Sequence, residues 1–321
     1  MGVLQKLLDK YELAVGKETT KVETDLLTLD YVLDGGVPLG KIIEIYGENG
    51  CGKTTLSMYI LSKFVEKFPN KSVVFVDAEY SFNADWARKL SIDTEQLLKE
   101  KKLYIVYPRN MDEAFSICLD AAKTDEVSLI ILDSLAVLLP KEVFDENDPI
   151  NFSRPGLGAK KQTMFFETIA PLLEKNNITM IVINQVRANI SPYGAQKSVP
   201  GAYAFKHLTS VRLEVKRDEF IGDKDNQFGI VSTIKCHKNK TGIPFRMESF
   251  VINVYTGLDV VLSNVEFMIS RSVIKHEGAI YTVKDTKLRG KNQVIEFLSK
   301  NKEVYRELVE KCKNMIYSHS S

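Results

Sequence analysis

The stretch Lys41-Ile42-Ile43-Glu44-Ile45-Tyr46-Gly47-Glu48-Asn49-Gly50-Cys51-Gly52-Lys53-Thr54-Thr55 decides the fold. Its first half is a β-branched run of the length of one strand buried on both faces. Gly47 to Thr54 then reads Gly-x-x-x-x-Gly-Lys-Thr, and helical spacing continues over 53–68. A glycine-rich turn between a buried strand and a helix start is a phosphate cradle. The backbone N–H groups of Gly47, Glu48, Asn49, Gly50, Cys51 and Gly52 can turn inward around phosphate oxygens, and the helix aims its positive end at them. In this cradle Lys53 reaches the β- and γ-phosphates of ATP, the Thr54 hydroxyl ligates Mg²⁺, and Thr55 completes the nucleotide-binding run.

Further strands follow at Ser72–Asp77, Leu103–Val106, Ser128–Asp133 and Thr179–Asn184, with helical stretches over 112–123 and 160–176. Strand–helix alternation of this kind predicts an α/β fold with right-handed crossovers and a mostly parallel central sheet. Ligands in such sheets bind at the carboxyl ends of the strands, so polar residues there are site candidates. Ile130-Ile131-Leu132-Asp133 ends in the acid a P-loop needs for its metal. Val76-Asp77-Ala78-Glu79 offers Glu79 as general base, with Asp77 as competitor. Gln185, after Asn184, is a candidate sensor of the γ-phosphate. Cys51 reads first as a small residue that fits the loop; its place at a helix N-terminus, which favours thiolate, makes sensitivity to alkylation a second expectation.

After residue 210 the pattern alternates. Val211–Arg217, Gly229–His237 and Glu248–Tyr255 read as antiparallel strands extending one edge of the same sheet. From about residue 261 helices return, with a hairpin-like piece at 279–283. The organisation expected is an N-terminal segment (1–30) with the apolar stripe Leu4, Leu7, Leu8 and Tyr11, a nucleotide-binding core (31–260), and a small basic α/β domain (261–321). The net charge is only +1, but Arg187, Lys197, Lys206, Arg212, Lys216 and Arg217 face a single acid, Glu214, within 185–217. The four cysteines form no Cys-x-x-Cys pair, and no run of 18 apolar residues exists. A reducing cytoplasmic setting, with no membrane partner, is the expectation.

In the order and spacing of these segments the chain resembles bacterial RecA recombinases from about residue 22 to residue 316. The resemblance is carried by Ile43-Glu44-Ile45-Tyr46-Gly47, Asp77-Ala78-Glu79 with Trp86-Ala87-Arg88-Lys89-Leu90, Leu132-Asp133-Ser134 with Leu139-Pro140-Lys141, Ile183-Asn184-Gln185-Val186-Arg187, and Lys238-Asn239-Lys240. It implies a RecA-like P-loop core in a DNA-dependent ATPase. Such a protein forms a helical homo-oligomeric filament on single-stranded DNA, samples double-stranded DNA and exchanges strands. It also implies roles for residues. Glu79 resembles the catalytic glutamate, and Gln185 the glutamine coupling the γ-phosphate to DNA. Lys238 and Lys240 resemble the pair that reaches the neighbouring protomer's ATP. Trp86, Asn83 and Tyr255 resemble the residues around adenine.

Two segments resemble the family's DNA-binding loops: 147–160, with Arg154, Gly156, Leu157 and Lys160, and 186–201, with Arg187, Tyr193, Lys197 and Gly201. Their Gly, Pro and Ser content predicts mobile loops, and their basic and aromatic residues suit sequence-independent, salt-sensitive binding. Mediator and single-strand-binding proteins are further partners the resemblance implies. The chain also departs from the pattern. Its N-terminal segment is short, His207 replaces an aromatic, Glu167 replaces a basic residue, and no acidic tail follows Lys311-Cys312-Lys313. Freer access to duplex DNA is expected from the last, and a phage-encoded or otherwise divergent member from all four. A ring-forming motor, a mediator that hydrolyses ATP poorly and a small-molecule kinase remain alternatives on the residues alone.

Overall fold

The computed structural model describes residues 19–144, 156–191, 194–198 and 203–318, with the backbone alone at 187–191, 194–198 and 203–204. The N-terminal stripe Leu4 to Tyr11 lies outside the described residues. The strands are β1 (Lys21–Val22), β2 (Val37–Pro38), β3 (Ile42–Gly47), β4 (Ser72–Asp77), β5 (Leu103–Val106), β6 (Val127–Asp133) and β7 (Thr179–Gln185). They continue with β8 (Arg187–Ser191), β9 (Gly194–Ser198), β10 (Val211–Asp223), β11 (Asn226–Asn239), β12 (Met247–Asn253) and β13 (Gly257–Leu258).

Nine of these form one sheet in the order β13-β12-β11-β10-β3-β7-β6-β4-β5. The strands from β10 through β3, β7, β6 and β4 to β5 pair in parallel, whereas β10 to β13 pair with one another antiparallel. The parallel strands are nearly continuous apolar runs because helices cover both faces. Phe64, Leu56 and Ile60 of the helix Lys53–Lys67 pack on one face with Ile45, Phe75 and Ile131. Phe115 of Met111–Ala122 and Phe165 and Phe166 of Leu157–Asn176 pack on the other. The Phe115 and Phe165 rings stack at 4.0 Å, and Phe166 is fully buried, so Phe166→Ala is expected to cost about 3–5 kcal/mol. Helix ends follow local chemistry. Asn110 and Asp93 accept from N–H groups of their first turns, and Asn177 closes Leu157–Asn176 in the left-handed conformation.

The antiparallel arm is longer than its alternation predicts. β10 and β11 pair out to Asp223 and Asn226, and their outer ends are solvent-exposed. Pairing rather than burial holds them there, so no apolar period marks them. The piece expected as a hairpin at 279–283 is the middle of a three-stranded antiparallel sheet, β14 (Lys275–Glu277), β15 (Ile280–Val283) and β16 (Thr286–Arg289), because tight turns flank it on both sides. This sheet and the helices Val260–Ser270, Lys291–Lys300 and Lys302–Ser318 enclose their own apolar cluster, into which Leu27 also packs. Residues 19–30 are built into the fold: Val22, Leu26 and Leu29 are buried in the first core cluster.

Candidate active site

The P-loop joins β3 to the helix Lys53–Lys67, and two glycines are required by contact. A Cβ on Gly47 would lie 2.0 Å from the Val215 carbonyl oxygen, and one on Gly52 (φ 95°) would lie 2.4 Å from Ile252 Cδ1. β10 and β12 therefore press directly on the loop. Lys53 is buried, and its Nζ donates to the Glu48 carbonyl at 2.8 Å. The Thr54 hydroxyl donates to Asp133 Oδ2 at 2.8 Å, across from the end of β6. The Asp133 carboxyl is pushed up to about 7, chiefly by burial, with Glu79 and Asp77 adding to the rise and the Thr54 hydrogen bond and Lys53 opposing it.

The two acids after β4 divide cleanly. Asp77 is fully buried, and its carboxylate accepts from the backbone N–H groups of Glu79, Ser81 and Phe82 at 3.2, 2.9 and 2.8 Å. It shapes the turn. Glu79 instead turns toward the ends of β6 and β7: its Oε1 accepts from Gln185 Nε2 at 2.6 Å and from the Ser134 hydroxyl. Asp133, Thr54, Glu79 and Gln185 thus converge on one end of four adjacent strands. Ser134 escaped sequence reasoning, although its position directly after the strand-ending Asp133 was the signal available. Glu44 and Arg212 escaped it too. A charge inside the run Ile43-Glu44-Ile45 was the sign that something buried must pair with it.

Trp86 and Tyr255 flank the same region. The Trp86 indole donates to Thr55 Oγ1 at 3.0 Å, and the ring also packs on the first core cluster. Tyr255 is 68% exposed and follows Val254, whose carbonyl accepts from Lys89; the Lys89 ammonium lies 5.2 Å from the Trp86 ring centroid. Asn83 is the N-cap of Ala84–Lys89, accepting from Trp86 N at 2.8 Å, so its side chain sets the helix that carries the ring. The expectation for Cys51 is corrected. Its thiol is buried, and burial pushes its pKa up despite Lys53 and Arg217 nearby, so it is shielded rather than alkylation-prone.

Lys238 and Lys240 lie elsewhere. Their ammonium groups donate to the carbonyls at the end of the short helix Tyr203–Leu208: Lys238 to Lys206 and His207 at 2.7 and 3.0 Å, Lys240 to His207 at 2.9 Å. Lys238 is opposite Arg212, which is opposite Glu44; Lys240 bonds Ser210, which bonds Ile42. At about 3.3 Å per residue, Lys240 is roughly 15 Å along the strands from Gly47, farther than a lysine's four-carbon stem extends.

The described parts of the two loop segments are more regular than expected. Leu157 and Lys160 lie in the first turn of a helix capped by Gly156 in the left-handed conformation (φ 82°). Arg187 and Lys197 lie on the strands β8 and β9, which pair antiparallel, so regular pairing competes with the loop reading there. Arg154, Tyr193 and Gly201 lie outside the described residues. Among the described residues, no helix is long and apolar enough to cross a membrane.

Comparison with known proteins agrees with this geometry. The family profile for the RecA N-terminal domain matches residues 5–259. Protein RecA of Wigglesworthia glossinidia brevipalpis is 31% identical over 97% of this chain and 96% of its own length. The crystal structure of the RadB recombinase superposes with a TM-score of 0.54 at 21% identity, covering 74% of this chain and 98% of that one, which bears on the fold alone. Nucleotide binding follows from the family, and the P-loop, the strand-end carboxylates and the sheet order are the frame that supports it: the chain belongs to the RecA family of recombinases.

Proposed function

We propose that the protein is a DNA-dependent ATPase that assembles on single-stranded DNA as a helical filament with ATP, samples duplex DNA and exchanges strands in recombination and repair. The observation that carries this reading is the Glu79–Gln185 hydrogen bond at 2.6 Å beside the Thr54–Asp133 pair. It joins a general base, a phosphate sensor and a metal-binding pair at one end of the sheet.

The loop from Gly47 to Thr54 surrounds the phosphates with backbone N–H groups, and Lys53 exchanges the Glu48 carbonyl for the β- and γ-phosphates. Thr54 and Asp133 offer hard oxygen donors of the kind Mg²⁺ takes, and a cation there would offset the cost of ionising the buried Asp133. An ion held by Thr54 and Asp133 would supply neutralisation of phosphate charge. Glu79, oriented by Ser134, takes the proton of the attacking water. Gln185, on meeting the γ-phosphate, gives up Glu79 and frees it for that step. Trp86 and Tyr255 bracket the base. Lys238 and Lys240 act on the ATP of the neighbouring protomer, as their distance along the strands from their own P-loop supports. Basic residues 187 and 197 on the hairpin, 154 and 160 around the other segment, and the basic C-terminal region 261–321 are assigned to DNA, and residues 1–30 to protomer docking.

The test is ATP hydrolysis with and without single-stranded DNA across protein concentration, with negative-stain images of the same samples. Strong stimulation, cooperative concentration dependence and helical filaments are expected. Unstimulated hydrolysis with rings or monomers would move the function to a motor or mediator.

A further inference from the structure

A row of polar side chains crosses the sheet between the two groups of functional residues, and the nucleotide chemistry does not use it. Glu44, in the middle of β3, is fully buried. Its Oε1 accepts from Asn184 Nδ2 at 3.1 Å, and its Oε2 accepts from Arg212 Nε. The Arg212 guanidinium also stands 5.0 Å from the centroid of the Tyr46 ring. At one end of the row, Asn184 Oδ1 accepts from the backbone N–H of Gln185 at 3.0 Å, and the Gln185 side chain holds Glu79. At the other end, Arg212 is the cross-strand partner of Lys238, so both side chains share one face of the sheet. Lys238 in turn holds the helix Tyr203–Leu208 that follows the β8–β9 hairpin. The row spans β7, β3, β10 and β11 without leaving the sheet.

We infer that Glu44 and Arg212 are positioning residues that couple Gln185, the phosphate sensor of one protomer, to the lysine pair that protomer presents to the next. This rests on the proposed reading of Lys238 and Lys240. The buried carboxylate is fixed on both oxygens, so displacement of the β7 end at Asn184 is carried to Arg212 and from there to the register of Lys238. Coupling also requires an element with two discrete arrangements. On the proposed reading the Gln185 side chain is that element, exchanging the Glu79 carboxylate that it bonds here for a phosphate oxygen. A hydrophobic pair would fill the same space with no loss of stability in the general case, so stability alone does not account for a buried ion pair here.

The variants Glu44→Gln and Arg212→Lys test the inference, the second retaining the charge in case the first does not fold. Trp86, the chain's single tryptophan, stands beside Thr55 and reports nucleotide binding. ATP titration of Trp86 emission in dilute protein is expected to change by less than about twofold, while the Hill coefficient of DNA-stimulated hydrolysis falls from the wild-type value to about 1. Wild-type cooperativity retained in both variants overturns the coupling and leaves the cross-protomer reading standing. Equal weakening of nucleotide binding in dilute protein also overturns it, because the row would then serve only the local site. Wild-type hydrolysis that is itself non-cooperative overturns both.

Discussion

The two halves of the sheet carry function in opposite ways. In the parallel half, β3, β7, β6 and β4 end together, and each ends in a residue of the proposed nucleotide site: Gly47, Gln185, Asp133 and, just past Asp77, Glu79. Those side chains satisfy one another within a single chain. In the antiparallel half, β11 runs the other way, and Lys238 near its end and Lys240 just past it donate to carbonyls of a short helix. A carbonyl-bound ammonium keeps its charge available for an anion. Strand direction therefore separates the hydrogen-bonded cluster at the parallel ends from the two lysines, which is the separation that the proposed cross-protomer role requires.

Lys53→Ala gives the largest effect expected. It removes the cation from the parallel half, so ATP-dependent quenching or enhancement of Trp86 emission and nucleotide-dependent assembly should both disappear. Assembly that still responds to ATP would show that the loop is not the nucleotide site. Glu79→Gln should come next. Hydrolysis should fall by about 10²–10⁴-fold with binding retained, and assembled protein should persist. Asp77→Asn separates the neighbouring acids. Its carboxylate serves three backbone N–H groups, so its loss should appear in thermal unfolding more than in the chemical step. Equal losses of turnover in both variants would deny Glu79 its special place.

Lys240→Ala addresses the other half. Dilute protein should bind ATP as the wild type does, and DNA-stimulated hydrolysis at high protein concentration should drop by about 10³-fold if the lysine acts as a cation supplied in trans. Weakened binding in dilute protein would mean that Lys240 serves its own site after all.

What the residues revealed beforehand follows the same division. The parallel half was legible because burial on both faces writes continuous apolar runs, and because Gly47 to Thr54 combine motif, strand and helix in one stretch. The choice of Glu79 over Asp77 as candidate base came from the resemblance, since both are acids at a strand end; their hydrogen-bond partners are the physical difference between them. The outer ends of β10 and β11 are held by pairing in solvent, which leaves no period to read. Cys51 misled because a helix N-terminus and burial act on a thiol in opposite directions, and sequence displays only the first. Glu44 was visible as an anomaly, yet its partners Asn184 and Arg212 come from distant strands that only the fold brings together.

A raised carboxyl pKa is not by itself a mark of function, and Asp30 makes the point measurable. It is buried on the side of the molecule where residues 19–30 join the core, and burial pushes its carboxyl up to about 7, the level reached by Asp133. That position already includes the hydrogen bonds from the Thr24 hydroxyl and N–H at 2.7 and 3.0 Å, which oppose the rise, and Asp25, which adds to it. The folded protein thus holds the Asp30 proton more tightly than the unfolded chain, whose carboxyl titrates near 4. The contribution of Asp30 to stability is fully present below about pH 4 and is lost as pH rises through about 7. Asp30→Asn keeps an oxygen for Thr24 and has no proton to lose. Relative to wild type, the variant should gain stability between pH 5 and 8, by on the order of 1–3 kcal/mol in denaturant unfolding, with nucleotide binding unchanged. A difference between variant and wild type that stays flat across that range would mean that Asp30 ionises in the fold as freely as it does in water.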